Sequence, residues 1–327
     1  MIKILKEFKY CINTISNIHR QSRKKNIIIF SLPRSGSTWL MELIATQPKM
    51  KYYDEPLNIR KDDVSRNGIF TDWQELMPDS NNDEEIIEYL KKISKNEYKY
   101  MNPTPFRRNY RLYTNRIVFK VHEVEHMVNK IKKQMNAIIV LLFRHPIANT
   151  ISRNKLPRLK YYVRSEYYRE NMLNDEQVKI ADKILRDGSH FEKGILSWCF
   201  QNMILIKAAK NDDIIITYEE LVLNPVKTCN LIYKKLDLEN INKMVDVVER
   251  PAHNIGISRN TTLELMKEEE IKKRRQGLVK KWKKIVSRDD INRAFNIIEL
   301  FNIDMYCENN YISKRKYLNF DDTIELI

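Results

Sequence analysis

The sequence has few of the features that mark secreted, metal-binding or membrane-spanning proteins. Its four cysteines are scattered without CxxC spacing, which argues against a disulfide framework and a zinc site. This cysteine usage suits a reducing compartment, so we predict a cytoplasmic protein. The longest apolar run, residues 137–143, is far shorter than the ~20 residues of a membrane-spanning helix. Residues 1–25 lack the continuous apolar segment of a signal peptide.

Positive charge is the most abundant feature of the composition. Lys and Arg number 58 against 43 Asp and Glu, which gives a formal charge of +15. This excess favours polyanions, anionic membrane surfaces or anionic small molecules as partners, although a lysine-rich source genome would also produce it. Apolar residues make up 43% of the chain and charged residues 31%, so we expect a globular fold with a sizeable core.

Residues 1–25 combine an apolar helical pattern with a basic stretch at 20–25. The apolar residues at helical spacing are Ile4, Phe8, Cys11, Ile15 and Ile18. This periodicity predicts an amphipathic helix and a basic linker before the main domain, with the apolar side docked on the protein. The alternatives are an organellar presequence and a helix that lies on a membrane surface and gives peripheral membrane contact.

Short apolar runs alternate with helical patterns along the rest of the chain. Buried strands are predicted at residues 26–31, 116–121, 137–143 and 213–218. Helical or loop segments follow at residues 38–47, 124–134, 147 onward and 224–236. This alternation predicts an α/β fold: a single domain over residues 26–310 with a central parallel sheet flanked by helices, then a tail at 311–327. Ligands of such sheets bind where loops leave the carboxyl ends of the strands.

The loop after the first strand has the composition of an oxyanion site. Gly36 allows the backbone to approach a ligand closely, and Arg34 supplies a cation beside the free N–H groups of the following helix. Hydroxyl groups are offered by Ser35, Ser37 and Thr38. The alternative, a serine-rich turn that caps a helix, leaves Arg34 and Trp39 unexplained. The first glycine and the lysine of a Walker A motif are missing, which argues against an ordinary ATPase or kinase.

Residues 33–39 read Pro-Arg-Ser-Gly-Ser-Thr-Trp and resemble the 5′-phosphosulfate loop of sulfotransferases, which share the P-loop type of α/β fold. The resemblance implies transfer of a sulfuryl group from 3′-phosphoadenosine 5′-phosphosulfate (PAPS) to an acceptor hydroxyl. It implies that Trp39 lies against the adenine. The implied donor-binding residues of the loop are Pro33, Arg34, Ser35, Gly36, Ser37, Thr38 and Trp39. Cytosolic members usually have lysine in place of Arg34, whereas carbohydrate and bacterial members often have arginine.

Two later segments resemble other parts of the donor site. Arg144 at a strand end and Ser152 eight residues later have the spacing of the family's 3′-phosphate site. An arginine and a serine that converge across a strand–helix junction can bind a phosphate, and a surface arginine followed by a helical serine is the alternative. Tyr218, after the fourth predicted strand, resembles a tyrosine that contacts the adenine.

A late basic segment resembles the family's Arg-Lys-Gly sequence. Arg275, Gln276 and Gly277 occupy its three positions, and Trp282 follows the glycine by five residues. Gln276 replaces the usual lysine, so one phosphate contact loses its charge unless a following lysine compensates. Residues 267–284 carry nine Lys and Arg against three Glu, and a solvated basic face is the alternative interpretation of this cluster.

Sulfuryl transfer requires a base for the acceptor hydroxyl and cations for the developing charge. Arg34 and Lys120 are the predicted cations, and because no acidic pair is placed for Mg²⁺ we expect no metal. His122 lies in a Lys-x-His sequence that resembles cytosolic sulfotransferases, whose histidine is the general base. Glu55 lies in a Glu-Pro segment that resembles carbohydrate and bacterial sulfotransferases, where a glutamate is the proposed base. We favour His122; a capping histidine and an exposed loop glutamate are the alternatives.

Residues 57–113 and 154–191 match the family poorly and are rich in aromatic side chains. They contain Trp73, Tyr100, Phe106, Tyr110, Tyr113, Tyr161, Tyr162, Tyr167 and Tyr168. Such loops suit stacking on sugar faces, so among small-molecule and glycan acceptors we favour a carbohydrate or glycolipid, although any one aromatic more commonly belongs to the core. A nucleotide-dependent kinase and a non-enzymatic polyanion-binding protein are the alternative functions, and nucleic acid is not an expected partner.

Overall fold

Five short segments of the chain pair as parallel strands into one sheet. The computed structural model describes residues 2–210, 213–248 and 268–317. Its strands are β1 (Ile18–His19), β2 (Asn26–Ser31), β3 (Met50–Asp54), β4 (Tyr113–Thr114), β5 (Arg116–Val121), β6 (Ala137–Phe143) and β7 (Ile214–Thr217). The sheet has the order β3-β5-β2-β6-β7, and β1 pairs with β4 in a separate two-stranded sheet. The prediction of an α/β domain with a central parallel sheet is confirmed.

Helices cover both faces of this sheet. In chain order they are α1 (Ile2–Ile15), α2 (Ser37–Ile44), α3 (Asp62–Ser65), α4 (Asp83–Ser94), α5 (Val128–Gln134), α6 (Pro146–Thr150), α7 (Leu159–Arg164), α8 (Glu166–Asn171), α9 (Asp175–Asp187), α10 (His190–Ala208), α11 (Tyr218–Leu223), α12 (Pro225–Lys235), α13 (Asn242–Val248), α14 (Glu268–Lys280) and α15 (Arg288–Leu300). Ile28 and Phe30 of β2 join the core beneath α4, α5, α10 and α15, whereas Ile27 and Ile29 join the core beneath α2, α12 and α13. Both faces of the sheet are therefore apolar, which leaves its carboxyl edge for polar chemistry.

The elements that follow the strands agree in part with the prediction. The helix predicted at 38–47 is α2, and the helix predicted at 224–236 is α12. Residues 124–134 form a 3₁₀ turn followed by α5. The helix that directly follows β6 is the short α6, which begins at Pro146. Helix α10, the longest of the described helices, has no counterpart among the predictions, because its residues are apolar on several sides and lack a simple period.

The fifth strand of the sheet, β3, is missing from the sequence-based prediction because its residues, Met-Lys-Tyr-Tyr-Asp, do not form a continuous apolar run. Lys51 interrupts the apolar run, yet this lysine is only 2% exposed. Its ammonium donates to Asn17 Oδ1 at 3.1 Å and to the side-chain oxygens of Asn96 and Asn102. Burial lowers the pKa of Lys51 to about 6, so charge on this side chain is disfavoured, and the three amide oxygens pair its Nζ inside the fold.

The N-terminal segment forms helix α1, but the opposite side of the helix is docked. Tyr10 and Asn13 are buried, whereas the five apolar residues of the predicted docked side are all exposed. The prediction that the apolar side packs on the protein is therefore wrong. Among the described helices, none is both long and apolar enough to cross a bilayer. Residues 249–267 of the predicted domain and 318–327 of the predicted tail lie outside the described residues.

Candidate active site

The loop between β2 and α2 contains two residues with left-handed backbone conformation. Arg34 has φ 69° and Gly36 has φ 88°. The turn is closed by a hydrogen bond from Ser35 N to the carbonyl oxygen of Leu32 at 3.2 Å. This region of φ is open to glycine but costly for Arg34, so surrounding contacts must hold the loop in place. The turn exposes the Arg34 side chain and places the start of α2 at the carboxyl edge of the sheet.

Tyr218, at the end of β7, lies against this loop. A Cβ atom on residue 36 would lie 2.6 Å from the Tyr218 ring, so any side chain larger than glycine would displace the ring. Trp39 meets the same ring edge-on, with the centroids 6.2 Å apart. The guanidinium of Arg144 lies 4.4 Å from the Tyr218 ring centroid, and its Nη1 donates to the carbonyl oxygen of Arg34 at 2.6 Å. Residues from three strand ends therefore meet at one place.

Asn149 on α6 ties the loop to the strand end that carries Arg144. Its fully buried side chain donates through Nδ2 to the carbonyl oxygen of Pro33 at 2.9 Å and to Ser35 Oγ at 3.1 Å. Ser152 Oγ in turn donates to the carbonyl oxygen of Asn149 at 2.7 Å. Sequence reasoning missed Asn149, although a polar residue within the apolar segment after a strand was a usable signal.

A buried cluster supports the end of β6 from behind. The His145 ring stacks on Trp282 with centroids 4.4 Å apart, and its backbone N donates to Glu219 Oε1 at 3.0 Å. Tyr306 Oη donates to the other oxygen of Glu219 at 2.9 Å. Burial raises the pKa of Glu219 to about 7 and lowers the pKa of His145 to about 3, so charge is disfavoured on both groups. Trp282 thus acts as a packing partner for the Arg144 strand.

Helix α14 carries the late basic segment and packs against α11, whose first residue is Tyr218. Arg275, Gln276 and Gly277 all lie in this helix. Their helix therefore adjoins the element that contacts the β2–α2 loop. A direct role of these three residues in donor binding stays a prediction.

Lys120 lies at the centre of a buried ion-pair cluster. Its Nζ donates to Thr38 Oγ1 at 2.7 Å and to Glu55 Oε1 at 2.9 Å, and lies 3.0 Å from Asp54 Oδ1. The pairing of β3 with β5 puts Asp54 directly beside Lys120, which explains the contact. Burial opposes the charge on Lys120, but the two carboxylates outweigh it and raise the pKa of this lysine. Lys120 therefore remains a cation next to the start of α2.

His122 lies beneath Glu55 and is only 2% exposed. Its Nδ1 is 2.5 Å from the carbonyl oxygen of Ser31, and its Nε2 lies 3.3 Å from Glu55 Oε1 and 3.5 Å from Ser37 Oγ. Because a carbonyl oxygen only accepts, Nδ1 carries a proton. Nε2 therefore holds the lone pair when the ring is neutral and donates to Glu55 Oε1 when the ring is an imidazolium. The structure thus brings both predicted bases into contact.

Glu55 follows β3 in a left-handed conformation, with φ 53°. Its Oε2 accepts a hydrogen bond from Asn58 Nδ2 at 2.6 Å and lies 3.6 Å from Lys61 Nζ. Burial opposes ionisation, but the hydrogen bond from His122 and the charges of His122, Lys120 and Lys61 lower the pKa of Glu55 below its usual range. Glu55 is therefore ionised at neutral pH. Sequence reasoning missed Lys61, which has no motif around it.

Several buried hydrogen-bond donors lack acceptors within the described parts of the chain, and two of them lie beside the Tyr218 ring. They are the Nε1 of Trp39 and the Nε of Arg144. Buried donors are normally paired, so both fit a site whose ligand supplies acceptor atoms. Both belong to residues that the sequence predicts to bind the nucleotide. Over residues 2–210, 213–248 and 268–317, no three His, Cys, Asp or Glu side chains are grouped to hold a metal, and the expectation of a metal-free reaction stays untested.

The aromatic residues of the predicted acceptor side have mixed environments. Tyr162 and Tyr168 belong to the core, in line with the alternative that some of these rings are structural. Phe106 is 92% exposed, and Trp73 is partly buried with the Arg60 guanidinium 5.6 Å from its ring. Only some of the aromatic residues are therefore available to contact an acceptor.

One protein family matches most of this chain. The sulfotransferase domain family matches residues 24–309. A search of curated proteins found no significant match. Among solved structures, the sulfotransferase domain of the Synechococcus PCC 7002 olefin synthase is 16% identical with a TM-score of 0.44, and the match covers 89% of this chain and 100% of that one.

Two further solved structures are similar at the same level. Mouse sulfotransferase SULT7A1, complexed with PAP, is 19% identical with a TM-score of 0.41, over 91% of this chain and 89% of that one. The sulfotransferase domain from the curacin biosynthetic pathway is 17% identical with a TM-score of 0.42, over 86% of this chain and 99% of that one.

Proposed function

This chain belongs to the sulfotransferase family, whose domain covers residues 24–309, and from that premise we propose that it transfers a sulfuryl group from PAPS to an acceptor hydroxyl. The observation that carries the proposal is the meeting of Arg34, Arg144 and Tyr218 at the loop between β2 and α2. Two guanidinium groups and an aromatic ring beside a helix start suit a nucleotide with charged groups at both ends.

The donor-binding roles follow from the positions around the loop. The exposed Arg34 and the N–H groups at the start of α2 bind the 5′-phosphosulfate, and Lys120 stabilises charge on the sulfuryl and bridging oxygens. Arg144 and Ser152 bind the 3′-phosphate. Further donor contacts come from Pro33, Ser35, Gly36, Ser37, Thr38, Trp39, Tyr218, Arg275, Gln276 and Gly277.

We assign proton removal from the acceptor to Nε2 of His122. The hydrogen bond from Nδ1 to the Ser31 carbonyl fixes the ring orientation and leaves the lone pair of the neutral ring on Nε2, which lies within 3.5 Å of Ser37 Oγ and Glu55 Oε1. Glu55 is a weak base because its pKa is lowered. Glu55 Oε1 lies 3.3 Å from the same Nε2, so the carboxylate accepts a hydrogen bond from the new N–H and stabilises the imidazolium that forms when His122 takes the proton. Glu55 is thus a positioning residue.

For the acceptor we propose a carbohydrate or glycolipid hydroxyl. The exposed Arg60 guanidinium lies over the ring of partly buried Trp73, 5.6 Å from its centroid. The next residue, Lys61, pairs with Asp54 at 2.6 Å and with Glu55 at 3.6 Å. An aromatic platform therefore adjoins the two carboxylates beside Lys120, as recognition of a sugar face requires.

The donor assignment is tested by thermal unfolding in the presence of nucleotides. We expect 3′-phosphoadenosine 5′-phosphate to stabilise the protein by about 2.7 kcal/mol at a hundredfold excess over its Kd, and AMP to stabilise it much less at the same concentration. Equal stabilisation by the two nucleotides would remove the case for a 3′-phosphate site. Incubation with labelled PAPS and a panel of sugars, glycolipids and phenols then identifies the acceptor class.

A further inference from the structure

Helix α1 turns its apolar side toward solvent. Ile4, Phe8 and Ile15 lie on one face of the helix and are 73%, 64% and 80% exposed. Leu5 and Ile18 beside them are also exposed. We refer to these five residues as the apolar face. A helix that packs on its own domain normally buries such a face, so this arrangement needs an explanation outside the domain.

The orientation of α1 is fixed by specific contacts on its other side. The buried ring of Tyr10 meets Tyr100 edge-on at 5.9 Å, and Asn13 Nδ2 donates to the Tyr100 carbonyl oxygen at 3.2 Å. Lys6 Nζ lies 2.7 Å from Asp62 Oδ2. These polar and aromatic contacts therefore fix the helix with its apolar face toward solvent.

The acidic groups around α1 are neutralised on the docked side. Glu7 Oε1 lies 2.7 Å from Arg66 Nη1, and Asp63 pairs with Lys9 at 3.8 Å. Both pairs, like that of Lys6, join α1 to the segment around α3. Little negative charge is thus left uncompensated on the helix.

Basic groups continue the apolar face beyond the end of α1. Backbone N–H groups of Ile18 and Arg20 both donate across to residues 112 and 114, so their side chains lie on the same side of the extended segment. Exposed Tyr113 is the direct neighbour of Ile18 in the β1–β4 pair. Arg20 and Arg23 are exposed, and within the described part of the chain neither forms an ion pair. An apolar strip therefore ends in an aromatic ring and free arginines.

We propose that the apolar face of α1 docks this protein on an anionic lipid bilayer, with the helix lying in the membrane plane. Exposed Ile, Leu and Phe side chains enter the acyl boundary, while Arg20, Arg23 and the ring of Tyr113 meet the anionic headgroups. A second copy of the chain is a poorer occupant, because it would bring another +15 charge to the same surface.

The test is sedimentation of the full chain with lipid vesicles. We expect binding to vesicles that contain phosphatidylglycerol, little binding to pure phosphatidylcholine, and weaker binding as salt is raised. The double variant Ile4→Gln/Phe8→Gln should lower the partition coefficient at least about tenfold without changing the melting temperature, since both side chains are exposed. The matched control is Ile285→Gln, because Ile285 is 60% exposed and follows the exposed Lys283 and Lys284.

Three results would overturn the proposal. One is equal vesicle binding by the double variant and the wild type. Another is an equal loss of binding in Ile285→Gln, which would mean that any exposed apolar residue near lysines suffices. The third is failure of the wild-type protein to bind vesicles. This outcome includes the case in which the apolar face forms a dimer, which light scattering would detect in the wild type but not in the double variant.

Discussion

The part of the site proposed to bind PAPS, here called the donor side, differs from the catalytic side around Lys120 in how its polar groups are paired. On the donor side, Trp39 Nε1 and Arg144 Nε are buried hydrogen-bond donors that lack acceptors within the described chain. On the catalytic side, Asp54, Glu55, Lys61 and Lys120 satisfy one another in ion pairs of 2.6–3.6 Å. The donor side is therefore ready for an anion, whereas the catalytic side is neutralised before any substrate arrives.

This difference predicts that the free energy of nucleotide binding and the free energy of unfolding depend on different residues. Changes on the donor side should alter nucleotide affinity more than stability, because Trp39 Nε1 and Arg144 Nε have no acceptor to lose within the described chain. Changes on the catalytic side should alter turnover, and some should alter stability, because removal of one member leaves its partners as buried, uncompensated charges. The experiments below test that separation, beginning with the largest expected effect.

His122→Ala should lower turnover by ~10²–10⁴ and leave the affinity for 3′-phosphoadenosine 5′-phosphate nearly unchanged, because the variant removes the base but no donor contact. Steady-state kinetics and calorimetry measure the two quantities. His126→Ala is the matched control, since the His126 side chain is also buried and lies 3.5 Å from a carboxylate oxygen, that of Asp83. This control should retain activity.

The competing base is tested by Glu55→Gln at saturating acceptor. If Glu55 positions His122, this variant should retain more activity than His122→Ala and should change the pH profile of turnover, because the imidazolium loses its carboxylate partner. If Glu55→Gln abolishes turnover while His122→Ala remains active, the base is Glu55, and the acid–base roles proposed above are reversed.

Arg144→Ala should weaken binding of 3′-phosphoadenosine 5′-phosphate by roughly 1.5–3 kcal/mol, or about 10- to 150-fold, because a charged hydrogen bond to phosphate is lost. AMP serves as an internal control. Arg144 also donates to the Arg34 carbonyl and covers the Tyr218 ring, so its loss could loosen the whole loop. A selective loss of affinity for the 3′-phosphorylated nucleotide identifies a phosphate ligand, whereas an equal loss for AMP identifies a structural support.

The loop between β2 and α2 was predictable from the sequence because its residues are contiguous. An apolar strand, a glycine and an arginine in one short segment predict a strand, a turn and a helix, which the structure contains, and an anion site, which stays a prediction. The catalytic cluster was only partly predictable. Asp54 joins it through the pairing of β3 with β5, Lys61 joins it through the segment between β3 and α3, and buried Lys51 interrupts the apolar pattern of β3. The orientation of α1 was predicted incorrectly, because periodicity identifies an apolar face but not what covers it.

The smallest expected effect is on stability in acid. Because the pKa of Glu55 is lowered in the folded protein, its ionised form stabilises the fold above the ordinary value of 4.5, and this contribution is lost as pH falls below that value. Glu55→Gln should therefore lower the melting temperature at pH 7 by on the order of 2 °C, and the difference from wild type should shrink steadily below about pH 4.5. Glu88→Gln on the exposed side of α4 is the control and should match wild type throughout. A constant difference between Glu55→Gln and wild type from pH 7 to pH 3 would show that the ion pairs of the catalytic side do not contribute to stability, and the contrast with the donor side would then rest on turnover alone.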